Sequence, residues 1–208
     1  MINIELKDGS QRTYDEGGQA LDIAKSISEG LARDIVGAKL DGEVIDLITP
    51  IHKGGKIEFL KFDSRDGKDV FWHTSTHLMA HAIKRLYPEA KLAIGPAVEN
   101  GFYYDIDLDY RLTQEDLEKI ENEMKKIVKE GYDIRRFELP ADEAIELMKK
   151  QKEDYKVEMI EDLAEGGENI SFYEQGDFVD LCAGPHLPNV KKIKAFKLTS
   201  VAGAYWRA

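Results

Sequence analysis

The sequence has a single cysteine, Cys182, among its 208 residues. One cysteine excludes a disulfide within the chain and favours the reducing cytosol as the compartment. No apolar run approaches the roughly 20 residues that a membrane-spanning helix needs. The amino terminus mixes charges with alternating apolar residues, unlike the basic and then apolar profile of a secretion signal. We therefore expect a cytoplasmic protein with no membrane partner.

Basic side chains are too few to balance the acidic ones. The chain has 29 lysines and arginines against 40 aspartates and glutamates, a formal charge of −11. This charge argues against long-range attraction to nucleic acid or to anionic lipid. Two short basic strips, at 52–56 and 191–197, leave open a nucleic-acid partner that is held locally. Hydrophobic residues at 42% and charged residues at 33% indicate a folded globular chain.

Residues 1–62 have the pattern of a small domain. Strand-like segments flank two Asp-Gly dipeptides, which are typical of tight hairpin turns. Between the two hairpins, 20–33 carries apolar side chains at helical spacing, and 56–62 is a final strand. This order of strands around one helix predicts a β-grasp (ubiquitin-like) fold. Nothing in the segment resembles a catalytic cluster.

The stretch 63–69 is polar and contains serine and glycine, which predicts a linker to a second domain at 63–208. The patterns predict helices at 70–87, 113–131 and 140–154, an extended segment at 92–104, and strands at 156–160, 170–174, 177–182 and 194–206. The second domain is therefore predicted to be α+β with a largely antiparallel sheet.

Three histidines, His73, His77 and His81, recur at intervals of four in the helix predicted after the linker. This spacing turns each about 40° from the last, so all three line one stripe. Two imidazoles at positions i and i+4 can converge on one ion or substrate. The HExxH metalloprotease signature needs glutamate where Thr74 stands, which excludes that class.

Cys182 and His186 form a second candidate pair. Gly184-Pro185 bends the chain between them, so both side chains can face one point. A buried cysteine is often merely structural. However, four of the six cysteine and histidine residues fall into one HxxxH and one CxxxH pair, which favours a shared site.

Five stretches of the chain, HTSTHLMAHAIKRLYP, AIGPAVENGFYYD, DYKVEMI, DLCAGPHLP and FKLTSVAGAYWRA, resemble the amino-terminal half of bacterial threonyl-tRNA synthetases. The resemblance covers essentially the whole chain. Residues 1–62 resemble the family's TGS domain, and 63–208 resemble its editing domain, which is related to that of alanyl-tRNA synthetase. The TGS fusion and the motifs GFYYD and GAYWR point to the threonine enzyme.

This resemblance implies hydrolysis of the ester in mischarged seryl-tRNA(Thr), at the tRNA 3′ end. It implies six catalytic residues, His73, His77, Lys156, Asp180, Cys182 and His186, and two that bind substrate, Tyr104 and Gly95. His81 lies in the helical stripe but in no family motif, so we expect a structural or supporting role for it. From the residues alone, Lys156 and Asp180 could be ordinary solvent-facing charges, and Tyr104 could be a core residue.

Zinc is an open alternative at this site. His73, His77, Cys182 and His186 are suitable ligand types for a tetrahedral zinc site. Four protein ligands would leave no open position for a catalytic water, so we favour metal-independent hydrolysis with zinc as an optional occupant. The resemblance implies the same, because zinc is associated with the related alanine-editing domains.

No class II aminoacylation motif is present, so we expect a fragment that cannot activate threonine. The resemblance implies a parent enzyme that ligates threonine to tRNA(Thr) with ATP and dimerises through other domains. Two alternatives remain at this point. One is a non-catalytic RNA-binding module that contains a TGS domain, and the other is a deacylase that acts in trans on alanyl-tRNA.

Overall fold

The computed structural model describes residues 1–204, and its amino-terminal part, residues 2–61, is a single α+β unit. Its elements are β1 (Ile2–Glu5), β2 (Gln11–Tyr14), α1 (Ala20–Ile27), α2 (Glu29–Asp34), β3 (Ile35–Leu40), β4 (Glu43–Ile45) and β5 (Gly55–Lys61). The strands form one sheet in the order β2-β1-β5-β3-β4. Strands β1 and β5 are parallel, and the other pairs are antiparallel. The β-grasp prediction is confirmed.

The helix predicted over 20–33 is in fact two helices, because Ser28 interrupts it. The backbone of Ser28 is extended, and its hydroxyl accepts hydrogen bonds from the N–H groups of Gly30 and Leu31. Serine in this position satisfies backbone donors that a new helix leaves unpaired. The helix α1 therefore ends at Ile27, and α2 begins at Glu29.

Besides a 3₁₀ helix at Val190–Lys192, the rest of the described chain, residues 65–204, adds four α-helices and seven short strands. They are α3 (Arg65–Leu86), β6 (Lys91–Leu92), β7 (Ala97–Val98), β8 (Gly101–Phe102), β9 (Ile106–Asp107), α4 (Gln114–Glu130), β10 (Ile134–Leu139), α5 (Ala141–Lys150), α6 (Asp154–Ala164), β11 (Ile170–Gln175) and β12 (Phe178–Leu181). Strands β10, β11 and β12 form an antiparallel sheet, and β6-β9 and β7-β8 form two small antiparallel ladders. The prediction of an α+β region with largely antiparallel sheets is confirmed.

The helix α3 begins five residues earlier than the predicted 70–87. The hydroxyl of Ser64 accepts a hydrogen bond from the N–H of Gly67, so the polar stretch is the capped first turn of the helix. The expected linker at 63–69 is therefore wrong: only residues 62–64 separate β5 from α3.

Two of the predicted strands are also wrong. The segment 156–160 lies inside α6, where the buried residues are Lys156 and Ile160, four apart on one helix face. In 194–204 the chain forms no strand, and the last two residues of the predicted strand lie outside the described residues.

The amino-terminal unit has its own core, which includes the fully buried Ile4, Ile35 and Leu47. It also contacts the rest of the chain, because Val36 and Val44 pack into the core that contains Val70 of α3. The division of the chain into domains 1–62 and 63–208 stays a prediction. In the described part of the chain, no helix combines the length and the apolar character needed to cross a membrane.

Candidate active site

Three histidines and the cysteine converge in one cluster. His73 and His77 lie one turn apart on α3, Cys182 directly follows β12, and His186 lies in the loop beyond it. Their potential ligand atoms all lie within 4.8 Å of one another. The sulfur of Cys182 is 3.2 Å from Nε2 of His73 and 3.1 Å from Nε2 of His186. The structure thus brings together two pairs that are far apart in sequence.

A glycine allows the loop to bring Cys182 and His186 to the same point. The backbone of Gly184 has φ +77°, a conformation that residues with a Cβ atom rarely adopt. A Cβ on Gly184 would lie only 2.0 Å from the hydroxyl oxygen of Tyr173. The N–H of Gly184 donates to the cysteine sulfur at 3.3 Å. The backbone of this loop therefore belongs to the wall of the site.

Thr74 determines the protonation pattern of His186. The threonine hydroxyl donates its proton to the carbonyl of Val70 at 3.0 Å and accepts from the N–H of Leu187 at 2.9 Å. Its remaining lone pair faces Nδ1 of His186 at 3.0 Å, so that nitrogen must be the donor. His186 is therefore the Nδ1–H tautomer, and its Nε2 is an acceptor.

The tautomer of His186 also fixes the proton position of the thiol. Because Nε2 of His186 is an acceptor, the S–H of Cys182 is donated to it, and His73 donates its Nε2–H to the sulfur. The other ring nitrogen of His73, Nδ1, is then unprotonated. A base with a free lone pair is thus present at the cluster.

Burial keeps all four side chains uncharged. It lowers the pKa values of His73 and His186, and it lowers the pKa of His77 to about 3. Burial also raises the pKa of the Cys182 thiol to about 12, against the opposing effect of the N–H donated by Gly184. At neutral pH the cluster is therefore three neutral imidazoles and a thiol.

A buried ion pair lies beside the cluster. The ammonium nitrogen of Lys156 on α6 is 3.1 Å from the Asp180 carboxylate on β12, and their side chains are 3% and 2% exposed. The Tyr104 hydroxyl accepts from Lys156 at 2.8 Å and donates to Asp180 at 2.6 Å. Nε2 of His77 is 3.5 Å from the same carboxylate. The four-residue cluster and the ion pair are therefore one site.

The electrostatics keep Asp180 ionised. Burial acts to raise the pKa of Asp180, but the charge of Lys156 and its other neighbours more than offset this, and the pKa is lowered overall. Burial raises the pKa of Tyr104 well above its ordinary value, so its hydroxyl stays protonated. The site thus contains one fixed positive and one fixed negative charge.

Gly95 makes room for the ring of Tyr104. A Cβ at Gly95 would lie 2.3 Å from that ring, so any larger residue would displace Tyr104 from Lys156 and Asp180. The structure therefore brings Gly95 to the site through Tyr104, without placing it in the His/Cys cluster.

A cleft of about 1170 Å³ leads from the surface to His73. One wall comes from the start of α3, including Arg65 and Lys68, and another from the β7–β8 hairpin. Gly184 and Pro185 also line it. His73 and Cys182 are partly exposed, whereas His77 and His186 are buried. Of these four residues His73 lines the cleft, so a substrate entering it meets His73 first.

His81 stands apart from the other histidines of α3. It is 1% exposed, its ring stacks on Phe178, and its Nε2 lies 2.9 Å from the Asp177 carboxylate. The Gln175 amide is 3.2 Å from its Nδ1. These contacts give His81 a structural place beside β12.

Comparison with known proteins gives two family matches. Residues 2–61 match the TGS domain, and residues 170–204 match the "Threonyl and Alanyl tRNA synthetase second additional domain". Among curated proteins, Threonine--tRNA ligase of Clostridioides difficile (strain 630) is 64% identical over 207 residues. The enzymes of Clostridium tetani and Acetivibrio thermocellus are 60% and 58% identical. The chain matches the amino-terminal region of threonine–tRNA ligases along its whole length.

The resemblance found in the sequence motifs is therefore confirmed. The TGS match coincides with the β-grasp unit, and the second match begins with β11 and contains Asp180, Cys182 and His186. The chain spans 32% of the length of these three relatives. The second additional domain is the part of the chain that relates to editing.

The cluster fits zinc in its residue types. A tetrahedral zinc ion with bonds of about 2.0–2.3 Å holds its ligand atoms roughly 3.3–3.8 Å apart. The four atoms here lie within 4.8 Å of one another, so they would have to close by about 1 Å around the ion. His73, His77, Cys182 and His186 would hold the ion, and Thr74 would orient His186 as a supporting hydrogen-bond partner. Bound zinc would supply Lewis-acid polarisation of a carbonyl or of a water.

Three residues of the site were not predicted from the sequence. Thr74 and Tyr173 contact His186 directly, and Asp46 reaches it from the amino-terminal unit. Thr74 could have been found, because it lies inside the HxxxH motif. Asp46 and Tyr173 carry no local signal, since tertiary folding alone brings them to the loop.

Proposed function

We propose that this chain is an editing unit that hydrolyses the ester between serine and the 3′ end of tRNA(Thr). The supporting observation is the neutral His/Cys cluster, in contact with a buried Lys–Asp pair and reached by a cleft. The similarity to threonine–tRNA ligases gives a reason for such an editing reaction. A pocket that accepts threonine also admits serine, which lacks one methyl, and such a difference gives only about 10–200-fold discrimination.

Hydrolysis adds water to the ester carbonyl carbon and breaks its bond to the ribose oxygen. One proton leaves the water, and one must reach the ribose oxygen. We assign both transfers to His73, because its neutral ring borders the cleft: the ring accepts the proton from the water and then delivers it to the ribose oxygen. His77, one turn along α3, holds the terminal ribose. The products are serine and a tRNA with a free 3′ end.

The two fixed charges suit the two charged parts of the reacting substrate. The Lys156 ammonium stabilises the oxyanion that develops on the carbonyl oxygen. The Asp180 carboxylate, which stays ionised, binds the α-ammonium group of serine. Cys182 and His186 complete the wall and position the water. This mechanism needs no cofactor.

Steric exclusion supplies the selectivity against threonine. The ring of Tyr104 is fixed between Gly95 and the ion pair, so this part of the pocket has little room to adjust. Overpacking by one methyl typically costs about 1–3 kcal/mol. Misplacing a reacting ester by about 1 Å costs up to about 100-fold in rate. We therefore expect the serine ester to be hydrolysed at least about 100-fold faster than the threonine ester.

The decisive experiment compares hydrolysis of seryl-, alanyl- and threonyl-tRNA by this chain. We expect rapid loss of the serine ester and little loss of the threonine ester. Hydrolysis rates of seryl- and threonyl-tRNA that differ by less than about threefold would refute the editing proposal. Faster hydrolysis of the alanine ester would indicate an alanyl-tRNA deacylase.

A matched pair of variants separates catalysis from RNA binding. His73→Ala should abolish most of the serine reaction, whereas His52→Ala, on the exposed surface of the amino-terminal unit, should leave it unchanged. Full activity of His73→Ala would exclude the mechanism, and activity at background in every variant and in the parent would favour a non-catalytic RNA-binding module.

For the whole protein we propose ligation of threonine to tRNA(Thr) with ATP, in the cytoplasm. We further propose that it acts as a homodimer formed through domains outside this chain. The ligase proposal follows from the activity for which these relatives are named, and this chain spans only 32% of their length, so further domains are available. The dimer follows from the family resemblance of the sequence motifs. Size-exclusion chromatography of the whole protein with light scattering tests the dimer, and threonine-dependent ATP turnover tests the ligase.

A further inference from the structure

Asp46 of the amino-terminal unit extends into the wall of the candidate active site. It directly follows β4 and is only 3% exposed. One carboxylate oxygen accepts the main-chain N–H of His186, and the other accepts the hydroxyl of Tyr173. The second oxygen also accepts the hydroxyl of Thr49 at 2.8 Å. The buried carboxylate thus accepts hydrogen bonds from three neutral donors, and the two from His186 and Tyr173 cross the contact between the two parts of the chain.

We propose that Asp46 is a positioning residue for the hydrolytic site, because it fixes the backbone of His186 and so the place of its ring beside Cys182. This inference rests on the proposed function. It assigns to the TGS unit a part in hydrolysis through His186, which the sequence of that unit does not indicate.

His186 is held at two points. Thr74 holds its ring at Nδ1, and Asp46 holds its main chain. Tyr173, the other residue that bonds to Asp46, packs against the same ring with a centroid distance of 4.3 Å. With His186 fixed in this way, its Nε2 stays 3.1 Å from the sulfur of Cys182.

Loss of the carboxylate would leave two buried donors, the N–H of His186 and the hydroxyl of Tyr173, without their acceptor. Buried donors without partners are unfavourable, so the loop would shift to find water or another acceptor. A shift of about 1 Å in a group that positions the reaction costs up to about 100-fold in rate. The substrate-binding charges of Lys156 and Asp180 would stay in place.

The next residue in the chain provides the control. Leu47 is fully buried in the core of the amino-terminal unit, whereas Asp46 bonds to the site. Leu47→Ala therefore weakens the amino-terminal unit without removing a bond to His186. A purely structural role for Asp46 predicts that both variants behave alike.

The experiment measures kcat and KM for seryl-tRNA hydrolysis at a temperature where circular dichroism shows every variant folded. Asp46→Ala should lower kcat by about 100-fold with KM nearly unchanged. Asp46→Asn should fall between this variant and the parent, because its carbonyl oxygen can still accept the N–H of His186. Leu47→Ala should keep the kcat of the parent. A kcat of Asp46→Ala within about threefold of the parent, or equal to that of Leu47→Ala, would overturn the inference.

Amide hydrogen exchange tests the same inference without the reaction. In Asp46→Ala the N–H of His186 should exchange at least about tenfold faster than in Leu47→Ala. Equal exchange in the two variants would overturn the positioning role. A parent chain that leaves seryl-tRNA intact would instead refute the proposed function, and the exchange measurement would still decide the role of Asp46 in holding the loop.

Discussion

The ammonium nitrogen of Lys156 lies 3.1 Å from the carboxylate of Asp180, with both side chains almost completely buried. The two residues come from a helix and from a strand, so the pair forms only when these elements are packed. Removing one partner would leave the other charge buried without its counter-ion, which is far more unfavourable than the loss of an exposed pair.

The first prediction concerns this pair. Lys156→Met should lower the free energy of unfolding by about 3–5 kcal/mol, because the Asp180 charge stays buried without a cation. Lys91→Met, which breaks a more exposed pair with Asp154, should have a much smaller effect, because solvent screens exposed ion pairs. Urea unfolding measures both values. Equal effects of the two substitutions would contradict the structure.

The second prediction concerns Thr74. Thr74→Val removes the hydroxyl and leaves the N–H of Leu187 and Nδ1 of His186 unpaired, which should cost about 1–3 kcal/mol. Thr74→Ser keeps the hydroxyl and should cost less. Nitrogen chemical shifts of His186 should report the Nδ1–H tautomer in the parent. An Nε2–H tautomer there would show that the assignment of the hydrogen-bond network is wrong.

The third prediction is that acid destabilises the fold through its buried histidines. Burial lowers the pKa of His77 from 6.5 to about 3, and the pKa of His186 is also lowered. Below pH 6.5 the unfolded chain therefore binds more protons than the native chain, and stability present above this pH is lost as the pH falls towards about 3.

His77 should contribute a slope of about 1.4 kcal/mol per pH unit within that window. His186 should add a loss in the same direction. Urea unfolding at a series of pH values measures the slope. In His77→Gln the number of protons taken up on unfolding, which the slope reports, should fall by about one. An unchanged slope in that variant would mean that His77 is protonated in the native protein.

The fourth prediction concerns metal. Treatment with a strong chelator should leave most of the seryl-tRNA hydrolysis, because the proposed proton transfer uses His73 and the oxyanion is stabilised by Lys156. The measurement is the initial rate before and after chelation, with metal content determined in the same samples. Activity that disappears and returns only with zinc would refute metal independence.

Elements with their ends encoded in the sequence were predicted accurately. The helix α4 is bounded by Thr113, whose hydroxyl and Asp116 form a capping box, and by Gly131, whose backbone is left-handed. The two pairs of site residues were also predictable, because each pair has its own local spacing. That the two pairs meet is a matter of tertiary structure.

Lys156 shows where local patterns fail. Val157 and Met159 alternate with polar neighbours and mimic a strand, but the segment is helical and buries Lys156 and Ile160. A lysine is normally assigned to the surface, and here its contacts with Asp180 and Tyr104 offset the cost of burial. The role of Asp46 could not be predicted for the same reason. None of its sequence neighbours indicates that His186 and Tyr173, far along the chain, donate hydrogen bonds to it.

The short connection between β5 and α3 has a mechanical consequence. The helix α3 has 22 residues and is therefore a rod about 33 Å long. Its first turn is tied to the amino-terminal unit by the ion pair between Lys39 and Asp66, and two turns further on it holds His73. Only residues 62–64 connect β5 to α3, and this connection is too short to let the amino-terminal unit rotate independently of the helix. A rotation of the amino-terminal unit would therefore move helix α3 and, with it, the imidazole of His73 that borders the cleft.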